Sequence, residues 1–167
     1  MTNGTGRYQE IIRGLKDWGA KMVVYVPDRW IGPLCEAVKA DPDVIAVNAC
    51  REEEGLAICV GALVTGTKAV MVMQNAGFLS SGSGVNLAKM YQVPLLFLIS
   101  YRGNPEESLY YHVLKGVATE PVLKSFNIGY RIPDVGRDLA EQVVDAGRFA
   151  EASNHPFALL LKKEHLA

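Results

Sequence analysis

Six short apolar runs, rich in β-branched residues, do most to limit what this chain can fold into. They are Met22 to Val26, Val44 to Val47, Ala69 to Met73, Leu95 to Ser100, Ile128 to Ile132 and Phe157 to Leu161. Each is nearly continuous rather than alternating, the pattern of strands covered on both faces. Segments of helical period lie between them. Tyr8, Ile11, Ile12, Leu15 and Trp18 share one face; so do Leu34, Ala37 and Val38, and later Leu139, Val143, Ala146 and Ala150. Strand alternating with helix predicts an α/β fold: three layers around a mostly parallel six-stranded sheet, joined by right-handed crossovers. No repeat, low-complexity tract or linker divides the chain. Residues 1–167 therefore read as a single domain, with Met1 to Gly6 expected to fray.

Composition excludes several classes of function. At 167 residues and 49% hydrophobic content the chain can build one real core. Its 17 basic and 18 acidic residues give a net charge of −1 with no basic stripe, which argues against nucleic acid. The apolar runs are too short to cross a bilayer, and the polar N-terminus has no secretory pattern. A cytoplasmic protein without a membrane partner is the expectation. Cys35, Cys50 and Cys59 lack metal-type spacing and are odd in number, so they read as reduced thiols. His112, His155 and His165 are scattered and form no ligand pair.

In an open parallel sheet, ligands bind beyond the carboxyl ends of the strands. Four segments of unusual chemistry leave that edge. Pro27-Asp28-Arg29-Trp30 follows the first strand, and Cys50-Arg51-Glu52-Glu53-Glu54-Gly55 the second. Gln74-Asn75-Ala76-Gly77 through Gly84 follows the third and reads as a polar loop. Tyr101-Arg102-Gly103-Asn104-Pro105 through Gly116 follows the fourth. Glu52, Glu53 and Glu54 suit the first turn of a helix, where carboxylates meet the positive end of the dipole. A functional reading needs one of them turned inward, where desolvation raises a carboxyl pKa. Two nucleotide motifs fail. Gly82-Ser83-Gly84 meets Leu87 where a dinucleotide fingerprint needs its third glycine. Gly61 to Lys68 ends Thr-Lys rather than Lys-Thr, and leads from helix into strand, the reverse of a phosphate-binding loop.

The spacing of Glu52 nine residues before Gly61 resembles the pyrimidine-binding domain of thiamine-diphosphate enzymes. The nearer resemblance is to the alpha subunits of two-subunit sulfopyruvate decarboxylases and the matching part of phosphonopyruvate decarboxylase. It covers roughly Tyr8 to Leu161. Gln74-Asn75-Ala76-Gly77 is similar to the family's Gln-Asn-Ser-Gly loop, with Ala76 in place of serine. Arg102-Gly103-x-Pro105 and His112-Val113-x-x-Gly116-x-x-Thr119 are similar to its Arg-Gly-x-Pro and His-Val-x-x-Gly-x-x-Thr patterns. Tyr111 stands where phosphonopyruvate decarboxylases tend to carry glutamine.

The resemblance implies a fold of thiamine-diphosphate-binding type and a set of roles. Glu52 would hydrogen-bond N1′ of the aminopyrimidine, with Glu53 the alternative if the register shifts by one residue. Gln74, Asn75 and Gly77 would lie along the cofactor. His112 would serve catalysis and substrate binding, aided by Asp28, Arg29 and Arg102. From the residues alone, Asp28 serves equally as a helix cap and Arg29 as a surface residue, while Trp30 and Ile31 read as a staple for the next helix. Lys115 adds positive character to the same rim. The Gly-Asp-Gly start that holds the diphosphate and metal in such enzymes is nowhere in the sequence. The expectation is a chain that grips only the pyrimidine end of thiamine diphosphate. A separate beta subunit would carry the diphosphate-binding domain and Mg2+, and this chain would form a homodimer or higher oligomer when alone. The substrate would be a small anionic 2-keto acid, sulfopyruvate first. Phosphonopyruvate or another keto acid, or a non-catalytic flavodoxin-like binding module, are the rivals.

Overall fold

The computed structural model describes residues 6–105, 107 and 109–166. Of the expected frayed segment, residues 1–5 lie outside the described residues. Helix α1 (Tyr8–Trp18) leads into β1 (Met22–Tyr25), then α2 (Gly32–Ala40), β2 (Ile45–Asn48) and α3 (Glu52–Val64). Next come β3 (Ala69–Gln74), α4 (Asn75–Ser80), α5 (Gly82–Met90) and β4 (Leu96–Ser100). The chain continues through α6 (Tyr110–Ser125), β5 (Gly129–Arg131), α7 (Leu139–Ser153) and β6 (Phe157–Leu161), and a short 3-10 turn at Lys163–His165 follows.

The six strands form one sheet in the order β2-β1-β3-β4-β6-β5, with every pair parallel. The six apolar runs are those strands, each matched to within a few residues. Their side chains divide by parity between two cores, as a pleated strand requires. Val23, Tyr25, Val70, Val72, Leu96, Leu98, Leu159 and Leu161 face α1, α2 and α7. Val24, Met71, Met73, Phe97, Ile99, Ala158 and Leu160 face α3, α4, α5 and α6. Strands covered on both sides have no polar face to show, which is why the runs do not alternate.

The order reverses between β1 and β3. From β1 the chain steps outward to β2, then returns to place β3 on the other side of β1. In open parallel sheets the crossovers separate at such a switch point, beyond the carboxyl ends of the central strands. The residues described below lie at those ends.

The C-terminal turn is fixed by His165, which is fully buried. Its Nδ1 accepts from the Lys162 N–H at 2.9 Å. The other ring nitrogen therefore carries the proton and donates to the Pro133 carbonyl at 2.9 Å. Burial lowers the pKa of this imidazole below its ordinary value, in spite of the Pro133 bond. A second proton would also set an N–H against the Lys162 N–H. Below an unfolded-state pKa of about 6.5 the unfolded chain binds a proton that the folded chain resists. Stability is thus full above that pH and falls as pH drops below it. Urea unfolding at a series of pH values should show this decline, and His165→Gln should make it shallower. An unchanged slope in the variant would contradict the assignment.

Candidate active site

The acidic helix start gives each of its three carboxylates a different place. Arg51, extended at the N-cap, offers no capping side chain, so charge in the first turn stabilises α3 instead. Glu54 Oε2 accepts from the Cys50 N–H at 2.8 Å. Glu53 pairs with the Arg51 guanidinium at 3.6 Å, near the surface. Glu52 has neither kind of bond among the described residues. It is half-buried, and its carboxyl lies across the backbone of Gly77 in α4. A Cβ at Gly77 would collide with the Glu52 carboxyl, so glycine there is a condition of this contact. The Gly77 carbonyl is held from the other side by the hydroxyls of Ser80 at 3.0 Å and Ser81 at 2.6 Å.

Asp28 ties three strand ends together. Its Oδ1 accepts from the N–H groups of Trp30 at 2.8 Å and Ile31 at 2.9 Å, turning the chain from β1 into α2. Its Oδ2 accepts from Gln74 Nε2 at 2.7 Å and Ser100 Oγ at 2.8 Å, at the ends of β3 and β4. The helix-cap reading of Asp28 is corrected to a turn: α2 has Ile31 at its N-cap and no side-chain cap bond, so Asp28 braces the turn ahead of the helix and adds two strand ties that the sequence did not announce. Arg29 is exposed beside it.

Arg102 is almost fully buried, and its charge is engaged within the chain. Nε and Nη2 donate to Glu107 Oε2 and Oε1 at 2.6 and 3.1 Å, and the guanidinium lies 4.2 Å from the centroid of the Trp30 ring. The Arg102 bonds hold the Glu107 carboxyl down to about 2. Trp30 therefore does more than staple a helix: it covers the ion pair. Ile31 is fully buried against the core.

The fourth segment departs from the expected loop, because helix α6 already begins at Tyr110. Gly103, at φ +85°, passes directly over Gly116 of α6. A Cβ on Gly103 would strike the His112 carbonyl, and one on Gly116 would strike the Gly103 carbonyl. Asn75 locks this crossing. Its Nδ2 donates to the Arg102 carbonyl at 2.8 Å and to Thr119 Oγ1 at 2.9 Å. Thr119 in turn donates to the Lys115 carbonyl at 2.6 Å. The spaced Arg-Gly and His-Val-x-x-Gly-x-x-Thr patterns are thus two halves of one backbone crossing, with Asn75 as the bolt.

His112 rides inward on α6 and is 6% exposed. Burial lowers its pKa, and the Arg102 charge lowers it further, so the imidazole is neutral at neutral pH. This adds to the acid sensitivity set by His165. Two buried side-chain atoms among the described residues have no hydrogen-bond partner, and both are here: Asn75 Oδ1 and His112 Nδ1. Buried polar atoms are rarely left so unless something else binds them. Together with the Glu52 carboxyl, which has no hydrogen-bond partner among the described residues, these atoms stand unengaged beside small residues that let a flat ring approach. That donor set fits an aminopyrimidine. Among the described residues, no cluster of His, Cys, Asp or Glu is placed to hold a metal ion, and no helix is long and apolar enough to cross a membrane.

Of the residues singled out in the sequence, Glu52 and Gly77 are in contact, and Asn75 shares α4 with Gly77. Gln74 and Asp28 are bonded to each other, and Asn75 is bonded to the backbone of Arg102. Arg29 stands apart on the surface. Ser100 and Glu107 were not anticipated. Ser100 reads as the last residue of an apolar strand, and Glu107 as one more charge in a polar loop.

The fold is shared with much longer proteins. Benzoylformate decarboxylase from Polynucleobacter necessarius superposes with a TM-score of 0.77 at 16% identity, over 96% of this chain and 30% of its own. The 2-oxoglutarate:ferredoxin oxidoreductase of Magnetococcus marinus gives 0.69 at 17% identity, over 97% of this chain and 29% of its own. This chain therefore spans about a third of each. Relatives of matching length bear the name sulfopyruvate decarboxylase subunit alpha. That of Methanothermobacter thermautotrophicus is 30% identical over 157 residues, 92% of this chain and 93% of the relative. That of Methanococcus maripaludis is 29% identical over 154 residues, 92% of each. Residues 8–122 match the model of the thiamine pyrophosphate enzyme N-terminal TPP binding domain, a span running from α1 through the Asn75–Thr119 lock, and the chain belongs to that family.

Proposed function

We propose that this chain is the alpha subunit of a thiamine-diphosphate-dependent 2-keto acid decarboxylase, with sulfopyruvate as substrate and sulfoacetaldehyde and CO2 as products. The observation that carries the reading is the Glu52 carboxyl: half-buried, without a hydrogen-bond partner among the described residues, and laid against a glycine that leaves room for it. Thiamine diphosphate, when bound, supplies the electron sink that lets a 2-keto acid lose CO2. The chain's own residues prepare for it. Glu52 offers its carboxyl to the ring nitrogen N1′, where a proton can be held or shared. Gln74, Asn75 and Gly77 line the pyrimidine end. His112, neutral and buried, presents Nδ1 to the substrate as a proton carrier. Asp28 and Arg102, both engaged by protein partners, position these groups, and Arg29 contributes positive charge at the rim.

The diphosphate and Mg2+ are assigned to a separate beta subunit, because this sequence has no Gly-Asp-Gly start. The surface beside the site supports a partner. On α6, Tyr110, Leu114 and Val117 form an apolar stripe exposed by 86%, 78% and 66%. They lie on the opposite side of the helix from His112, at i, i+4 and i+7. Exposed apolar surface of this kind is what a partner subunit covers.

Two outcomes are expected. In the reconstituted complex, Glu52→Gln should retain fold and cofactor while turnover of sulfopyruvate falls at least ~100-fold, the scale of a lost proton-transfer group. Steady-state assay across sulfopyruvate, phosphonopyruvate and pyruvate checks this; near-normal turnover would end the assignment. Leu114→Asp should leave the melting temperature of the isolated chain nearly unchanged but weaken association with the beta subunit about tenfold or more, a cost of ~1.4 kcal/mol. Analytical ultracentrifugation measures it, and an unchanged dissociation constant would place the partner elsewhere.

A further inference from the structure

A decarboxylase for a 2-keto acid with an anionic tail must meet two negative groups differently. The carboxylate leaves as CO2, and its charge flows out of it during the reaction. A cation held against it would stabilise the starting state more than the transition state, and slow the step. The tail keeps its charge throughout. A cation directed at the tail binds starting state and transition state alike, so it favours capture without opposing the chemistry. The site's cation should therefore be sought at the tail.

Arg51 pairs with Glu53 at the surface, which leaves three cations on the segments that carry the site. Arg102 is committed: Glu107 takes two of its hydrogen bonds and Trp30 covers its face. Diverting it to substrate would strand a buried carboxylate, which is strongly unfavourable. Arg29 is exposed, where water and salt screen a charge. Lys115 differs from both. It is half-buried, and among the described residues its ammonium has no carboxylate or other hydrogen-bond partner. It follows His112 by three residues on α6, about 60° around the helix at about 100° per residue, on the side that also carries Tyr111. The Tyr111 ring packs against the His112 imidazole with centroids 4.5 Å apart, and Lys115 Nζ stands 5.9 Å from the Tyr111 centroid. Tyr111 thus links Lys115 to His112, whose buried Nδ1 has no hydrogen-bond partner among the described residues. The Lys115 charge is also close enough to contribute to the lowered pKa of His112.

We infer that Lys115 is the specificity-determining residue of this site, its ammonium receiving the substrate's terminal strong anion while His112 faces the reacting carbons. An ammonium carries three N–H donors and matches the three oxygens of a sulfonate. The inference rests on the decarboxylase reading for the identity of the substrate, but the anion site can be tested without turnover.

The first experiment titrates the chain with sulfoacetate, and in parallel with acetate, following the His112 imidazole by 1H–15N NMR. Sulfoacetate should shift the resonance saturably and acetate should not. Lys115→Gln should abolish the response and Lys115→Arg should retain it. No shift in the wild-type chain, or an equal shift in Lys115→Gln, overturns the assignment. The second measures kinetics in the reconstituted complex. Lys115→Gln should raise KM for sulfopyruvate about 10- to 100-fold, the usual scale for a lost charge-assisted bond, with a much smaller change in kcat; Lys115→Arg should recover most of it. A lowered kcat at unchanged KM overturns the anion role and leaves the decarboxylase standing. A wild-type complex that binds sulfoacetate through Lys115 but decarboxylates no keto acid leaves the anion site standing and ends the decarboxylase reading.

Discussion

The site depends on one carboxylate that is not itself aimed at a ligand. Asp28 sits where the strand order reverses, and accepts from two backbone N–H groups and two side chains. A parallel sheet leaves its carboxyl ends as separate chain exits, each free to diverge. Asp28 gathers three of them: the turn out of β1, Gln74 at the end of β3 and Ser100 at the end of β4. Hydrogen bonds to an ionised acceptor are among the stronger ones available to a fold. Gln74 leads straight into α4, so the same tie sets where Asn75 and Gly77 stand. Removing the Asp28 charge would leave four donors to compete for water.

From that anchor the remaining geometry follows by close approach. Gly77 lets α4 meet the start of α3, and the Glu52 carboxyl fills the space a side chain would have taken. Gly103 and Gly116 let the exit of β4 lie directly on α6, and Asn75 joins the two through a carbonyl and a hydroxyl. Glu52 and His112, sixty residues apart in the chain, are thereby both referred to α4. Among the described residues, neither the Glu52 carboxyl nor His112 Nδ1 has a hydrogen-bond partner. Each is oriented by backbone packing, which leaves its polar atoms available. That arrangement suits the proton-handling roles proposed for them above.

Much of this was legible in the sequence. The six strands were visible because burial on both faces leaves continuous apolar runs, as at Leu96–Ser100 and Phe157–Leu161. Glu52, Gln74, Asn75, Gly77 and His112 were singled out through a resemblance in spacing, and the structure supplies a steric reason for several of those spacings. What was hidden depended on contacts distant in the chain. Gln74 to Gly84 read as a loop because glycine, serine and asparagine have weak helix propensity; α4 and the start of α5 form there because Phe78, Val85 and Ala88 bury against the sheet. Helix α6 was obscured by Gly116, Pro121 and an apolar outer face that breaks the expected stripe. The engagement of Arg102 by Glu107 and Trp30 has no local signal. The isolated Arg-Gly-x-Pro segment invites an anion-binding reading, and only the fold shows that this charge already has a partner.

The chain belongs to the thiamine pyrophosphate enzyme N-terminal domain family, and on the function proposed above it prepares one end of the cofactor and relies on a second protein for the other. The central claim is that Glu52 acts on the pyrimidine ring. Its most direct test is the exchange of the thiazolium C2 proton of bound thiamine diphosphate for deuterium, followed by quenched-flow NMR in the reconstituted complex. With cofactor occupancy matched, Glu52→Gln is predicted to slow this exchange by ~100-fold or more. Exchange at the wild-type rate in that variant would contradict the account.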